Sequence, residues 1–124
     1  MSQSLKVLIV DDSRVSRMMS GALVKSLRPG AAVVEAADGA AALALINEAG
    51  ADIGILDMNM PGMNGLELAE ELHRQTPQLP LALLTANVQD SVRNRAEAQG
   101  VHFFRKPISE ALIMQILDTL APET

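Results

Sequence analysis

Five residues stand where they could do chemistry together. The apolar run Leu5–Val10 ends in Asp11-Asp12, the run Ile53–Leu56 in Asp57, the run Leu81–Leu84 in Thr85, and the run Val101–Phe104 in Arg105-Lys106-Pro107. Three carboxylates, one hydroxyl and one ammonium thus each follow a stretch suited to a buried strand. Carboxylates held close together repel, so either their pKa values rise or a cation joins them. An all-oxygen set with neither His nor Cys suits a hard ion, Mg²⁺ ahead of Ca²⁺. A carboxylate flanked by such an ion, an ammonium and a hydroxyl is placed to attack phosphorus, because the positive groups neutralise the incoming phosphoryl oxygens. Asp is a covalent nucleophile for phosphate in other settings. Asp57 is therefore a candidate phosphoryl acceptor.

That chemistry requires the strand ends to converge. The four runs above and a fifth, Ala32–Ala37, alternate with stretches of helical pattern. Continuous apolar runs, rather than apolar–polar alternation, mark strands buried on both faces of a parallel sheet. Gly54 is unexpected in such a strand and should weaken it. The first helix is expected from Ser13 or Arg14 to Leu27, with Val15, Met18, Met19, Ala22 and Leu23 as its inward face and Arg28-Pro29-Gly30 as its stop. The second follows Asp38 as N-cap and ends at Gly50. The third opens at Asn64, with Glu67 three residues on in a capping-box pattern, and ends before Pro77. The fourth, Asp90 to Gln99, is short and polar. The fifth, Ser109 to Leu120, turns Leu112, Ile113, Ile116, Leu117 and Leu120 inward. This alternation predicts an α/β fold, a doubly wound (βα)5 sandwich with helices on both faces of a five-stranded parallel sheet. Ligands of such sheets sit at the carboxyl ends of the strands. Asp11, Asp12, Asp57, Thr85 and Lys106 are placed there, while Asp38-Gly39 lie farther out.

Bulk properties narrow the function. A chain of 124 residues with 48% hydrophobic content predicts one domain with a real core. No second domain, linker or repeat is visible. Trp and Tyr are absent and Phe occurs twice, so Leu, Ile, Val, Ala and Met must fill the core. A net charge of −5 argues against direct nucleic-acid binding, which needs clustered Lys and Arg. There is no Cys, hence no disulfide, thiolate metal site or thiol catalysis. The start of the chain has too short an apolar run for a secretory signal, and no run approaches a membrane span. A soluble, cytoplasmic protein with no membrane insertion is expected.

Each residue alone has a plainer reading. Asp57 could be a turn residue, Asp11-Asp12 a helix cap with Asp12 also free to bind metal, and Lys106 a solvated surface lysine. Only the combination is specific. Met58, Met60 and Met63 read as packing residues rather than a soft-metal site. The Asp57-x-Asn59-x-Pro61-Gly62 run mimics the start of an EF-hand loop, but Pro61 occupies a ligand position and Leu68 stands where the bidentate Glu belongs. His73 and His102 read as ordinary surface or strand residues. Phe103 is open to two readings, a core aromatic or a switching one. Arg93, Arg95 and Arg105 read as a solvated face, with a partner patch as the other possibility.

The set Asp11-Asp12, Asp57 followed by MPGMNG, Thr85-Ala86 and Lys106-Pro107 resembles the receiver domain of two-component response regulators, in the single-domain chemotaxis-type form. The resemblance covers nearly the whole chain and implies a flavodoxin-like sheet of order 2-1-3-4-5 in one domain, 1–124, with no output domain. It implies that Asp57 accepts a phosphoryl group from a sensor histidine kinase. Asp12, Asp57 and the backbone carbonyl of Asn59 would hold Mg²⁺, and Asp11 would act through water and by positioning Lys106. Thr85 and Lys106 would hold phosphoryl oxygens, Phe103 would be the switch aromatic, and Pro107 would follow a cis peptide bond. Asn59 and Asn87 take positions that influence the lifetime of the phosphoryl group. The implied protein is a signalling switch acting on a downstream protein through its helix 4–strand 5–helix 5 face. It catalyses only its own phosphoryl transfer and slow dephosphorylation. Some positions depart from the common pattern. Asn64 replaces a frequent Asp, Phe103 lacks the hydroxyl of Tyr, and Phe104 and Arg105 are bulkier than usual, which points to a specialised output face. A phosphohydrolase of the haloacid dehalogenase type fits less well, because its nucleophile follows the first strand and is paired with an Asp two residues on, where this chain has Asn59.

Overall fold

A computed structural model describes residues 5–86 and 89–122. Its elements run β1 (Lys6–Val10), α1 (Arg14–Leu27), β2 (Ala32–Ala36), α2 (Gly39–Ala49), β3 (Ile53–Asp57), α3 (Gly65–Gln75), β4 (Leu81–Thr85), α4 (Asp90–Ala98), β5 (His102–Arg105) and α5 (Glu110–Leu120). The sheet is parallel throughout, in the order β2-β1-β3-β4-β5. This is the flavodoxin-like doubly wound arrangement. The strand ends lie within a residue of the expected ones, and Asp57 and Thr85 close their strands rather than following them.

The pleat divides the core in two. Leu8, Val10, Leu56 and Leu83 face α2, α3 and α4, where Ala42, Leu66, Leu68, Leu72 and Ala96 meet them. Val7, Ile9, Ile55 and Leu84 face α1 and α5, against Val24, Ile113, Ile116 and Leu117. Two-sided burial holds fully for β3 and β4, in which every residue is buried. It fails for β2, where only Ala36 is buried. β2 lies at a sheet edge, so its apolar run faces a neighbour on one side only.

The inward face of α1 is not the expected one. Val15, Met18 and Met19 are 66%, 58% and 47% exposed, while Ser20, Gly21 and Val24 are buried. The helix is rolled so that its small residues meet the sheet. A Cβ on Gly21 would sit in ordinary contact with Val33, 3.5 Å away. Arg17 also turns inward, for reasons that lie at the site below.

Gly54 has a packing reason. A Cβ there would lie 2.6 Å from Cδ2 of Leu81, its neighbour on β4. The missing side chain leaves that volume to Leu81. Gly54→Ala should cost about 1–3 kcal/mol in urea unfolding, the usual range for overpacking. No loss would mean that Leu81 swings aside freely.

Candidate functional site

The site begins at the corner between β1 and α1. Ser13, not Asp12, caps α1, accepting from the Ser16 N–H at 3.2 Å. Asp12 is thereby free of that duty and exposed. Asp11 is 6% exposed and tied at several points. Its N–H donates to the Ala36 carbonyl at 3.1 Å. Its carboxylate accepts from the Ser13 N–H at 2.8 Å, and its carbonyl accepts from Nη1 of Arg17 at 2.7 Å.

Asp57 comes to this corner from β3. It is 5% exposed. The residue after it is fixed on both sides: the Met58 N–H donates to the Leu84 carbonyl at 2.8 Å, and the Met58 carbonyl accepts from the Gly65 N–H at 3.0 Å. The turn that follows is built as its composition suggests. Gly62 takes φ +75°, and Asn64 and Glu67 form a reciprocal capping box at the start of α3. Met60 is buried in the core, with Met58 and Met63 packed against it.

Lys106 arrives from the opposite side. Its N–H donates to the Thr85 carbonyl at 3.0 Å, one step beyond the β4–β5 ladder, and the Lys106–Pro107 peptide is cis. Its Nζ lies 2.9 Å from Oδ1 of Asp57 and 3.8 Å from Oδ2 of Asp11. Thr85 is 2% exposed at the end of the strand between them.

One oxygen from each of Asp11, Asp12 and Asp57 lies within 4.8 Å of the others. Burial pushes the Asp57 carboxyl above its ordinary range, and the charges of Asp11 and Asp12 push it further; the Lys106 hydrogen bond and charge oppose them. The three acids face the one ammonium of Lys106, so negative charge is in excess. An all-oxygen, incompletely neutralised set of this kind fits a hard divalent cation.

The sign of the shift sets a stability test. A raised carboxyl pKa means that the folded chain holds the proton more tightly than the unfolded one. Ionised Asp57 therefore costs stability above the raised pKa, and the cost vanishes below the ordinary value of 3.8. In Mg²⁺-free buffer Asp57→Asn should melt higher than the parent at neutral pH. That advantage should shrink as pH falls toward 4. An advantage constant with pH would assign the effect to packing instead.

The remaining candidates separate. Phe103 is half-buried, opposite Leu83, and packs on the α2–α3–α4 side, with the Arg93 guanidinium 5.4 Å from its ring centroid. Arg95 reaches Glu70 of α3 at 3.7 Å. The two arginines of α4 thus serve different neighbours, and Arg105 is exposed at the end of β5. Phe104 is buried on the α1–α5 side and belongs to the core, not to an output face. His73 donates from Nε2 to the Leu79 carbonyl at 2.9 Å, and His102 is exposed on β5. Asn59 is exposed beside Asp57; Asn87 lies outside the described residues. Arg17 was not foreseen. The signal was its place one turn before Ser20, Gly21 and Val24, the stripe that proves to be buried.

Residues 7–118 match the family described as Response regulator receiver domain. The chain is 36% identical over 100 residues to the sensor protein EvgS of Escherichia coli (strain K12), covering 81% of this chain and 8% of EvgS. It is 34% identical over 119 residues to the probable transcriptional regulatory protein TcrX of Mycobacterium tuberculosis, covering 92% and 49%. The chain therefore spans less than half the length of either relative. Among solved structures it is similar to the chemotaxis protein CheY4 of Vibrio cholerae, with TM-score 0.87 and 30% identity over 95% of this chain and 99% of that one. No helix among the described residues is long and apolar enough to cross a membrane.

Proposed function

The chain belongs to the response regulator receiver domain family of two-component systems, and we propose that it is a switch set by phosphorylation of Asp57. One observation carries this reading: Lys106 Nζ lies 2.9 Å from Asp57 at a buried strand end where two further acids converge. The phosphodonor is the phosphohistidine of a sensor kinase. A carboxylate oxygen of Asp57 forms a P–O bond as the P–N bond to the donor imidazole breaks, and the leaving imidazole takes up a proton. Lys106 and Thr85 bind the phosphoryl oxygens, and burial excludes competing water. Asp12, Asp57 and the Asn59 carbonyl would hold Mg²⁺, with Asp11 acting through water. The ion supplies charge neutralisation at the transferring group.

The output follows from the added charge of about −1.5 to −2. Thr85 moves toward it, α4 shifts, and Phe103 turns into the space vacated. The α4–β5–α5 face then changes its affinity for a downstream protein. A nearly complete switch requires roughly 5 kcal/mol of differential binding. α4 suits the moving part: Gln89 gives it no side-chain cap, and Ala96 is its only residue buried.

Incubation with Mg²⁺ and acetyl phosphate should add one base-labile phosphoryl group, seen by intact mass, and chelation should prevent it. Turnover of general phosphate esters at enzyme rates would point to a hydrolase. Asp12→Ala should weaken Mg²⁺ binding at least about tenfold in calorimetry; unchanged affinity would remove Asp12 from the metal site.

A further inference from the structure

We propose that Arg17 is a positioning residue for the metal site, acting through the backbone of Asp11. This inference rests on the metal site proposed above. Arg17 is a charged residue on a helix whose more apolar neighbours Met18 and Met19 lie in solvent, yet its own side chain is only 15% exposed. Two acceptors hold it there. Nη1 donates to the Asp11 carbonyl at 2.7 Å and Nε donates to Oε1 of Glu35 on β2 at 3.2 Å. One planar guanidinium thus joins α1, the end of β1 and β2, using the fixed fork that distinguishes Arg from Lys.

The bond to Asp11 is the consequential one. The Asp11 carbonyl belongs to the peptide unit that leads into Asp12, the exposed carboxylate of the cluster. The Asp11 N–H is held by Ala36 and its carboxylate by the Ser13 N–H. Its carbonyl is the remaining backbone group, and Arg17 holds it. Without that bond the Asp11–Asp12 peptide is held by fewer contacts, and the exposed Asp12 carboxylate is the one whose place relative to Asp57 loosens. Partners of this outer kind typically change metal affinity by roughly 10–100-fold when removed.

Charge and geometry make opposite predictions. Arg17 brings a positive charge to the Asp11 end of the cation site, so a purely electrostatic role means that its removal tightens Mg²⁺ binding. A positioning role means that removal weakens it.

The test is calorimetric Mg²⁺ titration of the unphosphorylated chain, well below its melting temperature, for the parent, Arg17→Gln and Arg17→Lys. Arg17→Gln should bind about tenfold more weakly. Arg17→Lys keeps the charge and loses the fork, and should bind several-fold more weakly. Amide hydrogen exchange at Asp12 and Ser13 should quicken in both. Glu35→Gln, which leaves the Asp11 contact in place, should bind Mg²⁺ within about twofold of the parent. Arg17→Lys binding like the parent would overturn the geometric role, as would tighter binding by Arg17→Gln. Lowered melting with unchanged affinity would reduce Arg17 to a fold residue and overturn the proposal. If the parent binds no Mg²⁺, the metal site falls and this inference with it; if the parent binds and both variants match it, this inference alone falls.

Discussion

Asp57→Asn is expected to abolish phosphorylation by acetyl phosphate or by a kinase, a loss on the order of a thousandfold or more, as for removal of other covalent nucleophiles. The amide keeps the shape of the carboxylate but has no anionic oxygen to attack phosphorus. Neither remaining acid can replace it. Asp11 is committed to the Ser13 N–H and lies 3.8 Å from Lys106, against 2.9 Å for Asp57. Asp12 is exposed, where water competes for its charge. A trivial loss through unfolding would lower the melting temperature, whereas the expected stability effect has the opposite sign. The amide side chain would bring no charge to bury beside Asp11 and Asp12, so the variant should be at least as stable as its parent at neutral pH. A chain that melts no lower and cannot be labelled would place the acceptor at Asp57. A variant that still labels, with the group mapped to Asp12, would move the reaction to the metal side of the site.

The residues of the site were legible because their types and places coincide. A charged residue directly after a buried apolar run is costly unless it has a purpose, and this happens at the ends of β1, β3 and β5. Parallel topology then brings those ends together. What was not legible depends on how helices sit against the sheet. On α1, the spacing of Val15, Met18, Met19 and Ala22 makes a good apolar stripe, yet the buried stripe is the neighbouring one with Ser20, Gly21 and Val24. Arg17 goes with the buried stripe, and one of its two acceptors, Glu35, lies on β2, 18 residues away. Likewise Phe104 read as a residue of the output face, but the pleat of β5 alternates it with Phe103 and sends it to the opposite core. Asp11-Asp12 read as a possible cap for α1, and the geometry of the turn gives the cap to Ser13. Gly54 looked like a weakness in β3 until Leu81 was placed beside it. In each case local pattern was right about the type of element, and the three-dimensional setting of that element decided the rest.

Gly65→Ala should be the most damaging small substitution near the site, although helix propensity says the reverse. Ala is favoured over Gly within helices by up to about 1 kcal/mol, and Gly65 is the first residue of α3. It also lies against the end of β3, its N–H bonded to the Met58 carbonyl. A Cβ there would run into the carbonyl of Asp57 and come within 2.6 Å of Cδ1 of Leu83. The first obstacle is backbone and cannot rotate away. Relief requires α3 to withdraw from β3, but Leu66, Leu68, Ala69 and Leu72 hold it in the core and the Asn64–Glu67 box fixes its start. The expected loss is about 2–3 kcal/mol, the upper part of the overpacking range, or roughly 5–10 °C in melting temperature for a chain of this size. The strain also falls on the peptide that carries Asp57, and displacements near 1 Å cost up to about a hundredfold in reactions that depend on alignment. Labelling by acetyl phosphate should therefore slow even at temperatures where the variant is fully folded. Gly21→Ala supplies the contrast, since its added methyl meets Val33 only at ordinary contact distance, 3.5 Å. It should gain up to about 1 kcal/mol and leave labelling unchanged. If both substitutions stabilise the chain, the contact between α3 and β3 is looser than the structure has it, and the rigidity assigned to the Asp57 end of β3 is wrong.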